Sequence, residues 1–120
     1  MDKFVIQGGK LLEGTVTVSG SKNAALPIMA ACIAAPGIYT LTNVPDLRDT
    51  RTMVKLLEII GSKVSVNKNK LIIDTVNCDK PKAPYSLVKT MRASFYVLGP
   101  LLSRFKYAKV SLPGGCAWGP

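Results

Sequence analysis

Hydrophobic and polar residues alternate along the first part of the chain. This pattern predicts two β-strands, at residues 4–7 and 12–18, with a turn at Gly8 and Gly9 between them. The chain is therefore predicted to open with β structure.

A nearly continuous apolar run follows, from residue 24 to residue 35. It predicts a helix, and Pro27 limits where that helix can start, because proline is tolerated only where backbone N–H groups have no helical partner. The N-cap is therefore expected at Asn23 or Ala24. A helix without a polar face is expected to be buried on all sides. The run is too short to span a bilayer.

The next helix is predicted from an amphipathic period. Asp49 or Thr50 is expected to cap it, and Gly61 is expected to end it. Its apolar positions recur at i, i+3, i+4 and i+7: Met53, Leu56, Leu57 and Ile60.

Short apolar runs on both sides of this helix predict strands. One covers residues 38–44, after the break at Pro36-Gly37. Two more, at 63–66 and 71–74, flank a polar tetrapeptide and predict a β-hairpin.

A third helix is predicted from Ser86 to Leu98, ended by Gly99-Pro100, and a strand at 107–112 follows. Its predicted apolar stripe is Leu87, Met91, Phe95 and Leu98. A second, polar stripe consists of Lys89, Arg92 and Tyr96, which is equally the pattern of a solvated helix face.

A faint internal repeat supports stacked α/β units. Tyr39 matches Tyr107, and Val44-Pro45 matches Leu112-Pro113 at the same offset, each after a helix.

Composition narrows the function classes. The 120 residues carry a net charge of +9, which favours anionic partners. The basic residues are spread along the chain, so phosphate-bearing small molecules fit better than nucleic acid. Histidine is absent, so acid–base chemistry must fall to Cys, Lys, Tyr or carboxylates.

The three cysteines, Cys32, Cys78 and Cys116, lie far apart. Their odd number and spacing argue against a disulfide framework or a zinc site, and we expect no metal and a reduced, cytoplasmic protein. Cys32 and Cys78, the latter in a predicted loop at 75–84, are interpreted as packing residues. The start of the chain lacks the apolar run of a signal peptide.

Cys116 stands apart because glycines and prolines surround it in residues 112–120. Such a segment cannot be helix or central strand, so the thiol is held on a loop that can approach a ligand. A thiol with a reference pKa of about 8.5 can deliver a proton or attack as thiolate. The alternative is a turn that contains a small buried hydrophobe.

Residues 19–23, Ser-Gly-Ser-Lys-Asn, are predicted to lie between a strand and a helix N-terminus. Free N–H groups and the helix dipole favour an anion there, and Lys22 adds a full charge. Helix capping with a solvated lysine is the alternative. The pattern is not a Walker A loop, so ATP binding is not supported. Arg92 could bind a second anionic substrate.

Three motifs in this order, at residues 19–27, 89–94 and 112–116, closely resemble the UDP-N-acetylglucosamine 1-carboxyvinyltransferases, the enolpyruvyl transferase family of peptidoglycan synthesis. The resemblance runs through all 120 residues, and it implies an N-terminal portion of a longer enzyme. The implied fold is an inside-out α/β barrel of β-α-β-α-β-β repeats. Residues 1–20 would pair with the second, C-terminal domain, and residues 21–120 would begin the domain that carries the catalytic loop.

The resemblance also implies a reaction without cofactors. The 3′-hydroxyl of UDP-N-acetylglucosamine adds to C2 of phosphoenolpyruvate, and phosphate then leaves. Lys22 and Asn23 would contact phosphoenolpyruvate, and Arg92 the sugar nucleotide. Cys116 would protonate C3, contact phosphoenolpyruvate and be the target of fosfomycin. Cell-wall biogenesis, cell shape, cell cycle and cell division are the processes implied.

Two residues depart from the family pattern: Trp118 stands where an aliphatic residue is usual, and Tyr96 where some members carry Trp. Because Pro120 falls inside the catalytic loop, we expect a fragment that is inactive alone and needs a second chain carrying the rest. The alternatives are a transferase that acts on shikimate 3-phosphate and a basic RNA-binding module. No membrane or nucleic-acid partner is expected.

Overall fold

The computed structural model describes residues 3–89 and 91–111. Within them, residues 3–21 form neither helix nor strand, so the strands predicted at 4–7 and 12–18 are not formed here. A strand is held by hydrogen bonds to a neighbour. Phe4 is 98% exposed and Leu12 is 91% exposed, and no described element covers residues 3–19.

The first helix, α1, covers Lys22–Ala31 and continues as a short 3₁₀ helix, Cys32–Ala34. The prediction of an N-cap at Asn23 or Ala24 is wrong, because Ser21 is the N-cap and its carbonyl accepts the N–H of Ala25 at 2.9 Å. Pro27 therefore lies inside the helix, where it removes one backbone hydrogen bond.

Only one side of α1 is buried in the described part of the chain, against the expectation of burial all round. The buried residues are Ala25, Leu26, Met29 and Ala30. On the other side Ala24, Ile28 and Ala31 are exposed, Ile28 by 51%.

A three-stranded antiparallel sheet and a long helix complete the first unit. The elements are β1 (Ile38–Leu41), α2 (Arg48–Ile60), β2 (Lys63–Asn67) and β3 (Lys70–Asp74), with sheet order β1-β3-β2. The β2–β3 hairpin confirms the prediction. β1 is shorter than predicted, because Asn43 has a left-handed φ of 56° that a strand cannot accommodate.

The amphipathic prediction for α2 is confirmed: Met53, Leu56, Leu57 and Ile60 are all fully buried. Gly61 follows the helix at a φ of 108°. The predicted cap is wrong, since the N-cap is Leu47. The Thr50 hydroxyl caps from inside the helix: it accepts the Leu47 N–H at 3.0 Å and donates to the Pro45 carbonyl at 2.8 Å.

The remaining elements form a βαβ unit. They are β4 (Lys82–Ala83), α3 (Tyr85–Val88), a second 3₁₀ helix (Arg92–Val97), α4 (Leu98–Phe105) and β5 (Lys109–Val110). β4 pairs with β5 in parallel, so the helices form the crossover. β4 lies in the segment predicted as a loop, and β5 is shorter than the predicted strand.

The single third helix predicted from Ser86 to Leu98 is wrong. Its middle is 3₁₀, which has three residues per turn, and the buried residues follow that spacing: Val88, Met91, Ser94 and Val97. Gly99 and Pro100 lie in the first turn of α4 instead of ending a helix. Proline is tolerated there because the N–H groups of a first turn lack helical partners.

The helices form one side of the core. α1 packs on α2 and on the 3₁₀ helix Arg92–Val97, and α4 packs on the turn Cys32–Ala34. Leu71 and Ile73 of β3 are buried in the same core. The order α1-β1-α2-β2-β3 matches the predicted repeat unit apart from its first strand.

Candidate functional site

The basic motif lies at the N-terminus of α1, as predicted. Lys22 and Asn23 are the first two residues of the helix, and both are exposed. The Lys22 ammonium (Nζ) lies 2.8 Å from Oδ2 of Asp49, in the first turn of α2. The α1 end thus combines free backbone N–H groups, a lysine and a carboxylate that holds it.

The segment that leads into α1 is packed tightly against the β1–α2 loop. A Cβ built on Gly20 would overlap the carbonyl oxygen of Asn43, so only glycine fits. The loop is fixed in turn, because the Val44 N–H donates to the Asn69 carbonyl at 2.8 Å. A cavity of about 420 Å³ opens beside this crossing, lined in part by Ser21 and Ala24.

Arg92 is the first residue of the 3₁₀ helix that packs on α1. Its side chain is exposed, as is that of Tyr96. The elements that carry Lys22 and Arg92 are therefore in contact. The third member of the predicted polar stripe, Lys89, lies before this helix, with its Nζ 5.7 Å from the centre of the Tyr85 ring.

Cys116, together with the rest of 112–120, lies outside the described residues. Its predicted role and that of Trp118 therefore stay predictions.

The other two cysteines are packing residues, as interpreted. Cys78 donates to the Ile60 carbonyl at 3.1 Å, and Cys32 to that of Ile28 at 3.4 Å. Burial raises the pKa of both thiols, which keeps them protonated and unreactive.

Two classes of feature are missing from the described residues. In 3–89 and 91–111 there is no cluster of three or more His, Cys, Asp or Glu side chains suited to a metal ion. Within the same ranges no helix has the length and apolar content to cross a membrane.

Asp49 is the residue that sequence reasoning missed. The sequence marks it only as a candidate helix cap, and nothing in the spacing links it to Lys22. The link arises because α1 packs on α2, which brings two helix N-termini side by side.

Comparisons with known proteins identify the family. The family model described as EPSP synthase (3-phosphoshikimate 1-carboxyvinyltransferase) matches residues 6–119. UDP-N-acetylglucosamine 1-carboxyvinyltransferases from Geotalea daltonii and Acinetobacter guillouiae are 59% and 60% identical over 99% of this chain. The one from Chlorobaculum parvum is 54% identical over all of it. The chain spans about 28% of the length of these curated relatives.

A solved structure agrees with the predicted fold. The crystal structure of the enolpyruvyl transferase NikO from Streptomyces tendae superposes with a TM-score of 0.68 and 27% identity, covering 81% of this chain and 23% of NikO. The predicted enolpyruvyl transferase fold is confirmed, and this chain holds part of it. The chain belongs to the EPSP synthase family of carboxyvinyltransferases.

Proposed function

We propose that this chain is part of an enzyme that transfers the enolpyruvyl group of phosphoenolpyruvate to the 3′-hydroxyl of UDP-N-acetylglucosamine, with release of phosphate. The observation that carries the proposal is the 54–60% identity with relatives of that name over essentially the whole chain. The geometry of the α1 N-terminus supports the phosphoenolpyruvate half of the reaction.

Lys22 and Asn23 are proposed to bind phosphoenolpyruvate. The substrate carries a phosphate and a carboxylate, and a helix N-terminus with an adjacent ammonium group attracts such charges. A helix end alone favours an anion only weakly. The supporting evidence is the match between this segment and the family motif, at a place where Gly20 fixes the backbone.

Arg92 is proposed to contact the sugar nucleotide. Its guanidinium is suited to diphosphate or carbonyl oxygens, and its helix packs on α1, so the two substrate sites would adjoin. This contact would place the acceptor hydroxyl next to C2 of phosphoenolpyruvate.

Cys116 is proposed as the acid. As the 3′-hydroxyl oxygen bonds to C2, the thiol proton moves to C3, which becomes a methyl group in a tetrahedral intermediate. Loss of a proton from C3 and cleavage of the C2–O bond to phosphate then give the enolpyruvyl ether. A base from elsewhere in the enzyme takes the proton that the 3′-hydroxyl loses, and the Cys116 thiolate takes the C3 proton back as phosphate leaves, which regenerates the thiol.

The remaining machinery is proposed to lie in protein outside these 120 residues, on the same chain or on a second one. The exposed apolar residues of the segment before α1, such as Phe4 and Val16, support pairing of residues 1–20 with the second domain. The product would enter cell-wall synthesis, and with it cell shape, cell cycle and cell division. The enzyme would be cytoplasmic, where both substrates are made, and inhibited by fosfomycin.

A transferase that acts on shikimate 3-phosphate is the second candidate, favoured by the description of the matching family model. Phosphate release by the full-length protein separates the two. We expect release from phosphoenolpyruvate to depend on UDP-N-acetylglucosamine and not on shikimate 3-phosphate, and the opposite dependence would overturn the proposal. Intact mass after fosfomycin treatment should show an adduct at Cys116 that Cys116→Ser abolishes.

A further inference from the structure

An ion pair at the candidate site can be compared with one on the outer surface. Lys22 Nζ and Asp49 Oδ2 are 2.8 Å apart, with side-chain exposures of 44% and 31%. The second pair, Arg51 with Asp46, lies on the outer surface at 68% and 60% exposure. Lys22 is thus tied to a carboxylate of another helix.

Of the two residues in the Lys22–Asp49 pair, Asp49 has the more firmly held backbone. It lies in the first turn of α2, whose inner face is fully buried. The adjacent Thr50 hydroxyl bonds to both Leu47 and Pro45, which holds the turn in place. A carboxylate in a first helical turn is also stabilised by the helix dipole. Asp49 is therefore a fixed anion.

Lys22 is the mobile partner. Its ammonium group ends a four-carbon stem with several rotatable bonds, and freezing such a stem costs conformational entropy when a ligand binds. The ammonium carries three N–H donors. Asp49 takes one, so two stay available for a phosphate or carboxylate oxygen.

We propose that Asp49 is a positioning residue for phosphoenolpyruvate binding: it holds the Lys22 ammonium at the α1 N-terminus before the substrate arrives. This inference rests on the proposed function. Exposed ion pairs contribute little to stability, so the role of Asp49 shows in substrate binding and not in the folding of α2.

The test uses the full-length protein that contains this chain and steady-state kinetics with both substrates. Asp49→Asn keeps the size of the side chain and removes its charge. We expect the KM for phosphoenolpyruvate to rise roughly tenfold, the KM for UDP-N-acetylglucosamine to change less than about twofold, and Tm to fall by no more than about 2 °C, because the helix dipole stabilises the Asp49 charge only slightly. Asp49→Glu should restore most of the affinity. Asp46→Asn, which breaks the surface pair, is the matched control and should change neither KM.

A double-mutant cycle shows whether Asp49 acts through Lys22. Lys22→Ala should raise the KM for phosphoenolpyruvate, and the combined Lys22→Ala/Asp49→Asn variant should be no worse than Lys22→Ala to within about twofold. Additive effects would overturn the proposal, as would a uniform rise in both KM values or a drop in Tm of more than about 5 °C for Asp49→Asn.

The same cycle separates this inference from the proposed function. If Lys22→Ala raises the KM for phosphoenolpyruvate and Asp49→Asn does not, the positioning role is overturned and the proposed substrate site stands. If Lys22→Ala has no effect on that KM, the proposed site itself fails and the positioning role fails with it.

Discussion

Gly20 lies so close to the backbone carbonyl of Asn43 that a Cβ on Gly20 would overlap that oxygen. Asn43 itself has a φ of 56°, which turns the chain after β1 toward Gly20. The crossing fixes the backbone immediately before Ser21 and Lys22. The position of Lys22 therefore depends on the close backbone approach that Gly20 permits.

Gly20→Ala should destabilise the protein and shift the α1 N-terminus, because backbone atoms must move to admit the methyl group. We expect a loss of about 1–3 kcal/mol in the free energy of unfolding, measured by denaturant titration of the full-length protein. Gly99→Ala is the matched control, since among residues 3–89 and 91–111 no atom beyond its own chain neighbours and helix backbone lies within 4 Å of its added Cβ. Equal stability of the two variants would contradict this interpretation.

Thr75 joins β3 to the turn after the Cys32–Ala34 helix. Its buried hydroxyl accepts the Gly37 N–H at 3.2 Å and donates to the Ala35 carbonyl at 3.0 Å. Thr75→Val keeps the shape but leaves the Gly37 N–H without its partner, while the Ala35 carbonyl still accepts from the Tyr39 hydroxyl at 3.0 Å, so the free energy of unfolding should fall by about 1–3 kcal/mol. The same change at exposed Thr40 should cost less than about 0.5 kcal/mol. A neutral Thr75→Val would mean that water replaces the hydroxyl.

The buried thiols make stability fall at alkaline pH. Burial raises the pKa of Cys32 and Cys78 in the folded state, so the unfolded chain releases these protons first as pH rises. Their contribution is complete below the pKa of a free thiol, about 8.5, and is lost as pH rises through the raised values. Unfolding free energies at about pH 7 and about pH 10 should differ less for Cys32→Ala/Cys78→Ala than for the parent. If the variant and the parent lose the same unfolding free energy between these pH values, the buried thiols are not the cause of the loss.

Burial also predicts that the Cys32 and Cys78 thiols react slowly with alkylating reagents. Iodoacetamide should modify Cys32 and Cys78 of the folded protein much more slowly than the same residues in denaturant, as measured by peptide mass spectrometry. Rapid modification of either thiol under native conditions would show that the surrounding core opens easily.

Asp46 should titrate below its usual range. Hydrogen bonds from Arg51, at 2.6 and 2.7 Å, lower the pKa of this carboxyl, with the positive charge of Arg51 adding to the effect. A lowered pKa in the folded state gives stability that is present above the unfolded value and is lost as pH falls through the folded value. NMR titration should show the lowered midpoint, and Arg51→Met should raise it. Arg48→Met, the control, should leave it unchanged.

The local sequence was enough to predict the elements that depend on residues close together in the chain. The four apolar positions of α2 are all buried, and the hairpin around residues 67–70 forms as predicted. Helical period and turn chemistry act over a few residues, so the sequence is enough to predict them. The basic motif at the start of α1 and the family resemblance were also readable from the residues.

Tertiary structure decided what depends on distant partners. The segment before α1 has the pattern of strands, but it forms none in the described residues because no neighbouring strand supplies hydrogen bonds. The segment around Arg92 became 3₁₀, since packing on α1 selects positions three residues apart. The Lys22–Asp49 pair arises in the same way: helix packing joins residues that no local pattern relates.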